Sequence, residues 1–124
     1  MDWFSDVLDF HKKLAPSIPR SLPGVPEHPK YDLGFMEEEL KEIRQAMLDR
    51  NVPEVADGLV DLIYVTIRAA LIWGIDLRPV WEEVHRANMR KVGGEMRSDG
   101  KILKPEGWEA PNVSAILDKQ KPII

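Results

Sequence analysis

The sequence predicts an all-α protein, a helical bundle of four main helices with a proline-rich N-terminal arm and a long C-terminal loop. In four segments the apolar residues recur at steps of three and four, which is the spacing of one helical face. Prolines and glycines separate these segments, as they do at helix ends. A small α+β domain is the alternative, but no segment alternates convincingly between apolar and polar residues, as a half-buried strand would.

The N-terminal part of the chain predicts two helices with an arm between them. The first helix spans about residues 2–14, and the second spans about residues 30–50 with a single apolar stripe. The arm, residues 15–29, contains five prolines. Proline lacks an N–H group and fixes φ, so neither a helix nor a central strand fits there. We expect an extended segment on the surface.

The C-terminal part predicts two more main helices and a basic loop. The third helix, about residues 53–73, is the most apolar part of the chain and ends at Gly74, a common C-terminal signal. The fourth helix spans about residues 76–91. Residues 92–112 predict an ordered loop or a short hairpin that wraps the bundle, and a last short helix follows at about 112–119.

Composition and charge exclude several functional classes. The 124 residues include 17 Lys or Arg and 21 Asp or Glu, a formal net charge of −4, which disfavours binding to a nucleic-acid polymer. The absence of cysteine excludes a disulfide scaffold, a thiolate metal site and cysteine catalysis. The acidic N-terminus is unlike a secretion signal, and the apolar run 62–74, which Arg68 interrupts, is too short to span a bilayer. We expect a single cytoplasmic domain, residues 1–124, with no membrane partner.

The first candidate site is an acidic face on the second predicted helix. Glu38 and Glu42 are four residues apart and therefore share a face, and Glu39 lies one position further round. Carboxylates near a helix N-terminus are also typical of a solvated surface that the helix dipole favours. Taken alone, this pattern leaves both interpretations open.

The third predicted helix carries charges that are harder to explain as surface. They fall close to one stripe: Glu54, Asp57, Asp61 and Arg68. A helix that is otherwise apolar on all sides is expected to be buried, and buried carboxylates are costly unless a positive charge compensates them. Arg68 is too far along the helix to pair with Asp57, so we expect it to pair with a carboxylate of another helix or subunit. A buried salt-bridge network or a divalent metal ion would compensate the carboxylates.

A bundle that brings the two acidic faces together would gather five oxygen donors. They are Glu38, Glu39, Glu42, Asp57 and Asp61. Carboxylates without Cys or His indicate a hard cation, Mg²⁺ or Mn²⁺. Mg²⁺ held by few carboxylates usually takes phosphate oxygens as well, which points to phosphate-ester or phosphoanhydride chemistry. A ferritin-like di-iron site is the alternative, but the Glu-x-x-His pairs that it requires are absent.

The charge of the chain is asymmetric. Residues 37–61 contain eight acidic and three basic side chains, whereas residues 86–104 contain six basic and two acidic ones. A basic segment packed near a metal site would complete a polyphosphate pocket. Trp108, which glycine and prolines flank, would either stack on a base or anchor a solubilising tail, and the residues alone favour neither.

Several short motifs follow one another in a specific order. Glu38-Glu39-Leu40-Lys41-Glu42 precedes Asp61-Leu62-Ile63-Tyr64. The C-terminal half adds Gly74-Ile75-Asp76, Glu83-Val84-His85, Asn88-Met89-Arg90-Lys91, Asp99-Gly100-Lys101 and Lys104-Pro105-Glu106-Gly107-Trp108. In this order, over about residues 10–112, the chain resembles the MazG-like all-α nucleoside triphosphate pyrophosphohydrolases, especially their phosphoribosyl-ATP pyrophosphohydrolase-like branch. The family signature is EExxE on one helix and ExxD on the next.

The resemblance implies Mg²⁺-dependent hydrolysis by a dimer or a dimer of dimers. The implied metal ligands are Glu38, Glu39, Glu42, Asp61 and Asp57, and Glu39 is the implied general base that orients the attacking water. The implied substrate contacts are Asn88, Lys91, Lys101 and Lys104 for the phosphates and Trp108 for the nucleoside. The chain departs from the signature at Gly58, where ExxD has Glu. Asp57, ahead of Glu54, is the candidate replacement.

These observations predict a nucleoside triphosphate pyrophosphohydrolase that releases a monophosphate and pyrophosphate. A deoxynucleotide or non-standard nucleotide is the predicted substrate, and nucleotide-pool house-cleaning is the predicted role. Phosphoribosyl-ATP is the alternative substrate, ranked lower because the segment 104–108 resembles the nucleotide-pool branch more. A non-catalytic helical dimer that binds metal or nucleotide is a further alternative, motivated by Gly58.

Overall fold

The computed structural model describes all 124 residues and contains five helices and no strand, which confirms the all-α prediction. The helices are α1 (Trp3–Leu14), α2 (Leu33–Leu48), α3 (Val52–Ile72), α4 (Leu77–Met89) and α5 (Val113–Asp118). The chain divides into two compact units. Unit 1 comprises Met1–Asp76 with Lys121–Ile124, and unit 2 comprises Leu77–Gln120. No single helix is long and apolar enough to cross a membrane.

Unit 1 is built on α3, against which both α1 and α2 pack. Its buried apolar residues are Phe4, Val7, Ile43, Ala46, Ile67, Ala70 and Leu71. The second helix begins at Leu33, later than the predicted residue 30, because Asp32 takes the N-cap position. The Asp32 side chain makes no capping hydrogen bond and instead bonds Arg68 of α3.

The turn between α2 and α3 is short, and local signals in the sequence determine where α3 begins. Arg50 adopts a positive φ of 55°, and Asn51 caps α3 by accepting a hydrogen bond from the Glu54 amide at 3.3 Å. Pro53 occupies the first turn, where its missing N–H has no partner to lose. The short turn makes α2 and α3 an antiparallel helical hairpin.

The proline-rich arm runs past the C-terminal end of α3. The Arg20 amide donates to the Leu71 carbonyl at 2.9 Å, and the Gly24 amide donates to the Trp73 carbonyl at 3.0 Å. The second bond satisfies a carbonyl group at the helix end, and the first gives a second donor to the Leu71 carbonyl, which also accepts from the Gly74 amide at 3.1 Å. Gly74 is required here, because its φ is 68° and a Cβ would lie 2.0 Å from the Leu22 carbonyl oxygen.

Unit 2 combines α4 and α5 with a tight turn between them. Met96 and Ile102 form an isolated antiparallel bridge around Asp99-Gly100, and Gly100 has a φ of 91°. This agrees with the predicted short hairpin. Glu83 of α4 accepts hydrogen bonds from Arg86 and from the backbone amide of Asn112, which precedes α5. Both hydrogen bonds lower the pKa of Glu83, and the bond from Arg86 is the larger cause. The bond from Asn112 joins the segment before α5 to α4.

In the single chain, α3 is not buried on all sides as expected. Its residues Val52, Asp57, Leu59 and Val60 are exposed, and Val60 retains 57% of its accessible surface. The reason is that α1 and α2 cover only part of the helix circumference. Asp57 is therefore a solvent-facing carboxylate in the single chain, and the predicted cost of burying it does not arise.

Candidate metal and phosphate site

The helical hairpin brings the two acidic motifs together. Ile43 of α2 and Gly58 of α3 are both buried against each other, and a Cβ on Gly58 would lie 2.7 Å from Ile43 Cγ1. Glu39 is one turn before Ile43, and Asp61 is almost one turn after Gly58. In an antiparallel pair this register places Glu39 opposite Asp61.

Glu39 lies at the centre of the acidic cluster. Its Oε2 atom is buried and has no hydrogen-bond partner. Burial raises the pKa of Glu39, because the charged form loses hydration. Neighbouring carboxylates raise that pKa further, in the order Glu42, Asp61 and Glu38. Three of the other predicted metal ligands therefore lie close enough to act electrostatically on Glu39, and no cation of the chain offsets them.

Asp57 stands apart from this cluster. It is exposed, as is Glu54, and neither contributes to the raised pKa of Glu39. No group of three or more His, Asp or Glu side chains is gathered closely enough to hold a metal ion. The donor type nevertheless fits Mg²⁺, because the cluster consists of carboxylates and one of its buried oxygens lacks a partner.

A shallow groove on the surface of one helix lies beside the acidic cluster. Glu38 and Glu42 line an open groove of about 620 Å³ on α2, together with Lys41, Arg44 and Gln45. Sequence analysis did not single out Lys41 and Arg44. The available signal was helical spacing, since Lys41 is three residues after Glu38 and Arg44 is three residues after Lys41. The groove thus combines carboxylates with two cations.

Arg68 forms an ion pair with a carboxylate outside its own helix, as predicted. Its Nε atom donates to Asp32 Oδ1 at 2.9 Å, and the two side chains retain 23% and 7% of their accessible surface. The guanidinium also lies 5.6 Å from the centre of the Phe35 ring. This answers the open question about Arg68, since its contacts are those of a structural ion pair.

His11 of α1 lies buried near that ion pair. Neither of its ring nitrogens has a hydrogen-bond partner. Burial lowers the pKa of His11, the nearby positive charge of Arg68 lowers it further, and Asp32 opposes both effects. Sequence analysis did not single out Asp32 or His11, because neither belongs to one of the acidic motifs. The lone arginine in an apolar helix was the only signal for a buried carboxylate.

In unit 2 the structure brings together three of the five predicted substrate contacts. The ammonium groups of Lys91 and Lys104 lie 4.9 Å and 5.1 Å from the centre of the Trp108 ring. The Trp108 indole N–H donates to the Ala87 carbonyl at 2.6 Å. Asn88 and Lys101 are exposed and do not join this cluster. The tryptophan is anchored, and cations already lie over its ring.

Comparison with known protein families gives a match that covers the acidic α2–α3 hairpin. The chain matches the family described as phosphoribosyl-ATP pyrophosphohydrolase over residues 7–88, more than half of its length, which includes all of α2 and α3. A comparison with curated proteins finds no match. The basic segment with Trp108 lies beyond the matched residues. Members of the matched family hydrolyse a phosphoanhydride bond of a nucleotide. The chain therefore belongs to the phosphoribosyl-ATP pyrophosphohydrolase family and is a MazG-like all-α nucleotide pyrophosphohydrolase.

Proposed function

We propose that this enzyme hydrolyses a nucleoside triphosphate, a deoxynucleotide or a non-standard nucleotide, to the monophosphate and pyrophosphate in a reaction that requires Mg²⁺ or Mn²⁺. The observation that carries the proposal is the uncompensated acidic cluster around Glu39. Like charges held together cost free energy unless a cation is bound between them. The role that follows is house-cleaning of the nucleotide pool in the cytoplasm.

The metal ligands in this proposal are Glu38, Glu39, Glu42 and Asp61, with exposed Asp57 as the fifth. A divalent cation held there would supply positive charge for the phosphate chain and would lower the pKa of a water molecule. Glu39 would orient the attacking water and accept its proton as the water oxygen bonds to phosphorus and pyrophosphate leaves.

The basic residues of unit 2 are proposed as phosphate contacts. Lys91 and Lys104 are the leading candidates, because they converge on Trp108 and no carboxylate of the chain pairs with them. Asn88 and Lys101 are the further candidates. Trp108 is proposed as the nucleoside contact, although the lysines that lie over its ring favour a second role for it as their support.

We also propose that the enzyme is a homodimer or a dimer of dimers. The support is an apolar groove of about 510 Å³ between α2 and α3, lined among others by Leu40, Met47, Leu48, Leu59 and Leu62. Several of these side chains keep about half or more of their surface exposed in the single chain. Contiguous apolar surface of this kind is typical of an interface.

The second candidate substrate is phosphoribosyl-ATP, and the description of the matched family favours it. The same acidic hairpin would serve both reactions, since both break a phosphoanhydride bond and release pyrophosphate. The two candidates therefore differ only in the nucleoside part that the enzyme accepts.

Pyrophosphate release tests the proposal. Wild type, Glu38→Gln and Glu37→Gln are each assayed with Mg²⁺ against a panel of nucleoside triphosphates, deoxynucleoside triphosphates and phosphoribosyl-ATP. We expect release that is lost in Glu38→Gln and kept in Glu37→Gln, because Glu37 does not act on Glu39. The panel identifies the substrate. Turnover that Glu38→Gln leaves unchanged would contradict the assignment of the site.

A further inference from the structure

Gly58 occupies a position where any side chain would clash with Ile43. A Cβ there would lie 2.7 Å from Ile43 Cγ1 and 3.8 Å from Ile43 Cα, so a larger residue forces α2 or the Ile43 side chain to move. Glycine lowers helix stability relative to alanine. Its presence in the interior of α3 therefore needs a structural reason, and the buried contact with Ile43 provides one.

This contact is in register with the acidic cluster. Glu39 and Ile43 are one turn apart on α2, and Gly58 and Asp61 are almost one turn apart on α3. Because Ile43 lies against Gly58, the backbones of the two helices approach closely at the point next to Glu39 and Asp61. Any increase in the separation of the helices at Gly58 therefore also separates the two carboxylates.

We propose that Gly58 is a positioning residue that sets the spacing between Glu39 and Asp61 by letting Ile43 pack directly against the α3 backbone. This inference rests on the proposed function, because it assigns a role within the same site. Where the family signature has a glutamate that contributes a ligand oxygen, this chain has a close helix approach. At this position the chain therefore arranges the acidic cluster by close helix packing and not by an additional carboxylate.

The proposal predicts that restoring the signature residue is harmful. Gly58→Glu introduces a side chain into the space that Ile43 occupies, so it separates the helices even though it adds a carboxylate. The decisive variants are Gly58→Ala, Ile43→Ala and the double variant, in which a methyl group on residue 58 replaces the volume lost from residue 43. Gly34→Ala is the matched control, because a Cβ on Gly34 of α2 meets no atom within 4 Å.

Two measurements are made on the full chain: kcat for pyrophosphate release, and the affinity for Mn²⁺ alone, by calorimetry without nucleotide. We expect Gly58→Ala to lower kcat about 10- to 100-fold, as a displacement of about 1 Å does, and to weaken Mn²⁺ binding about tenfold, as the loss of supporting contacts does. The double variant recovers most of both losses. Gly34→Ala changes neither, and Gly58→Glu loses activity.

Three results would overturn the proposal: wild-type behaviour of Gly58→Ala, a folded double variant that is as impaired as Gly58→Ala, or a Gly58→Glu protein that is more active than wild type. If Gly58→Ala fails to fold, Ile43→Ala and Ile43→Val replace it. Ile43→Ala removes Cγ1 and should weaken Mn²⁺ binding, whereas Ile43→Val keeps that atom and should not. If no nucleotide releases pyrophosphate with wild type, the proposed function fails, and the Mn²⁺ affinities still test the role of Gly58.

Discussion

The α2–α3 hairpin treats carboxylates in opposite ways at its open end and near its middle. At the open end, Asp32 is buried and its charge is compensated by Arg68 at 2.9 Å. Near the middle of the hairpin, Glu39 has a buried oxygen without a partner, and the charges that raise its pKa are all further carboxylates. The same pair of helices therefore contains one acidic group that is complete within the chain and one that is not.

The difference separates a structural group from a functional one. A buried charge must be compensated, and removing its partner is strongly destabilising. When the chain itself supplies the partner, the group holds the helices together. When the chain supplies only like charges, the cluster is strained until a cation binds, and such strained groups concentrate at active sites.

The largest expected effect is on turnover when Glu39 becomes neutral. Glu39→Gln keeps the size of the side chain but removes the proton acceptor, and we expect kcat to fall about 10²- to 10⁴-fold. The free energy of unfolding should rise at the same time, because the substitution relieves repulsion from Glu42 and Asp61. Pyrophosphate release and urea unfolding measure the two effects.

Glu37→Gln is the control for that experiment, since Glu37 is an exposed residue of the same helix. It should change neither kcat nor the free energy of unfolding. A Glu39→Gln protein that loses stability instead of gaining it would show that the cluster is compensated in the free enzyme, and the contrast between Asp32 and Glu39 would disappear.

The next effect concerns stability at the compensated end. Asp32→Asn leaves the Arg68 charge partly buried without a partner, and we expect the free energy of unfolding to fall by about 3 kcal/mol, the lower end of the range for breaking a buried pair. The matched control is Asp9→Asn, because Asp9 and Lys13 form an exposed ion pair at 3.0 Å. That variant should lose less than about 1 kcal/mol. Equal losses in urea unfolding would contradict the structural role of Asp32.

The smallest effect is a pH dependence that comes from His11. Burial and Arg68 lower the pKa of His11 in the folded chain below the ordinary value of 6.5. The unfolded chain then binds the proton first as the pH falls, so the free energy of unfolding is highest above about pH 6.5 and declines below it. The decline amounts to about 1.4 kcal/mol for each unit by which the pKa is lowered.

Substitution of His11 separates this effect from general acid denaturation. His11→Leu removes a side chain that makes no hydrogen bonds, and it should flatten the stability profile between pH 7 and pH 5 (about the range in which histidine titrates). His85→Gln, at an exposed histidine of α4, should leave the profile unchanged. A profile that His11→Leu does not flatten would place the acid sensitivity elsewhere.

Much of unit 1 was predictable from local signals in the sequence. Apolar spacing identified α2 and α3, and Asn51, Pro53 and Gly74 marked the ends of α3 where the structure has them. The prediction that Arg68 pairs with a carboxylate outside its own helix is confirmed by its ion pair with Asp32. These features depend on short-range spacing or on the cost of one buried charge, which a sequence displays directly.

Other features required the packed structure. The exposure of Asp57 could not be predicted from an apolar helix, because it depends on how much of α3 its neighbours cover. The close approach at Gly58 depends on which side chain of α2 lies opposite it. The lysines over Trp108 depend on the path of the chain between residues 91 and 108. All three result from contacts between residues that are distant in sequence.

The shift in Tm caused by Mg²⁺ tests the central claim most directly. A cation that binds only the folded chain stabilises it by about 2.7 kcal/mol at one hundred times its Kd. We predict that Mg²⁺ raises the Tm of wild type, that Asp32→Asn melts at a lower temperature but shifts equally, and that Glu39→Gln and Asp61→Asn shift much less. An equal shift in Glu39→Gln, or no shift in wild type, would contradict the claim that the acidic cluster is completed by a divalent cation.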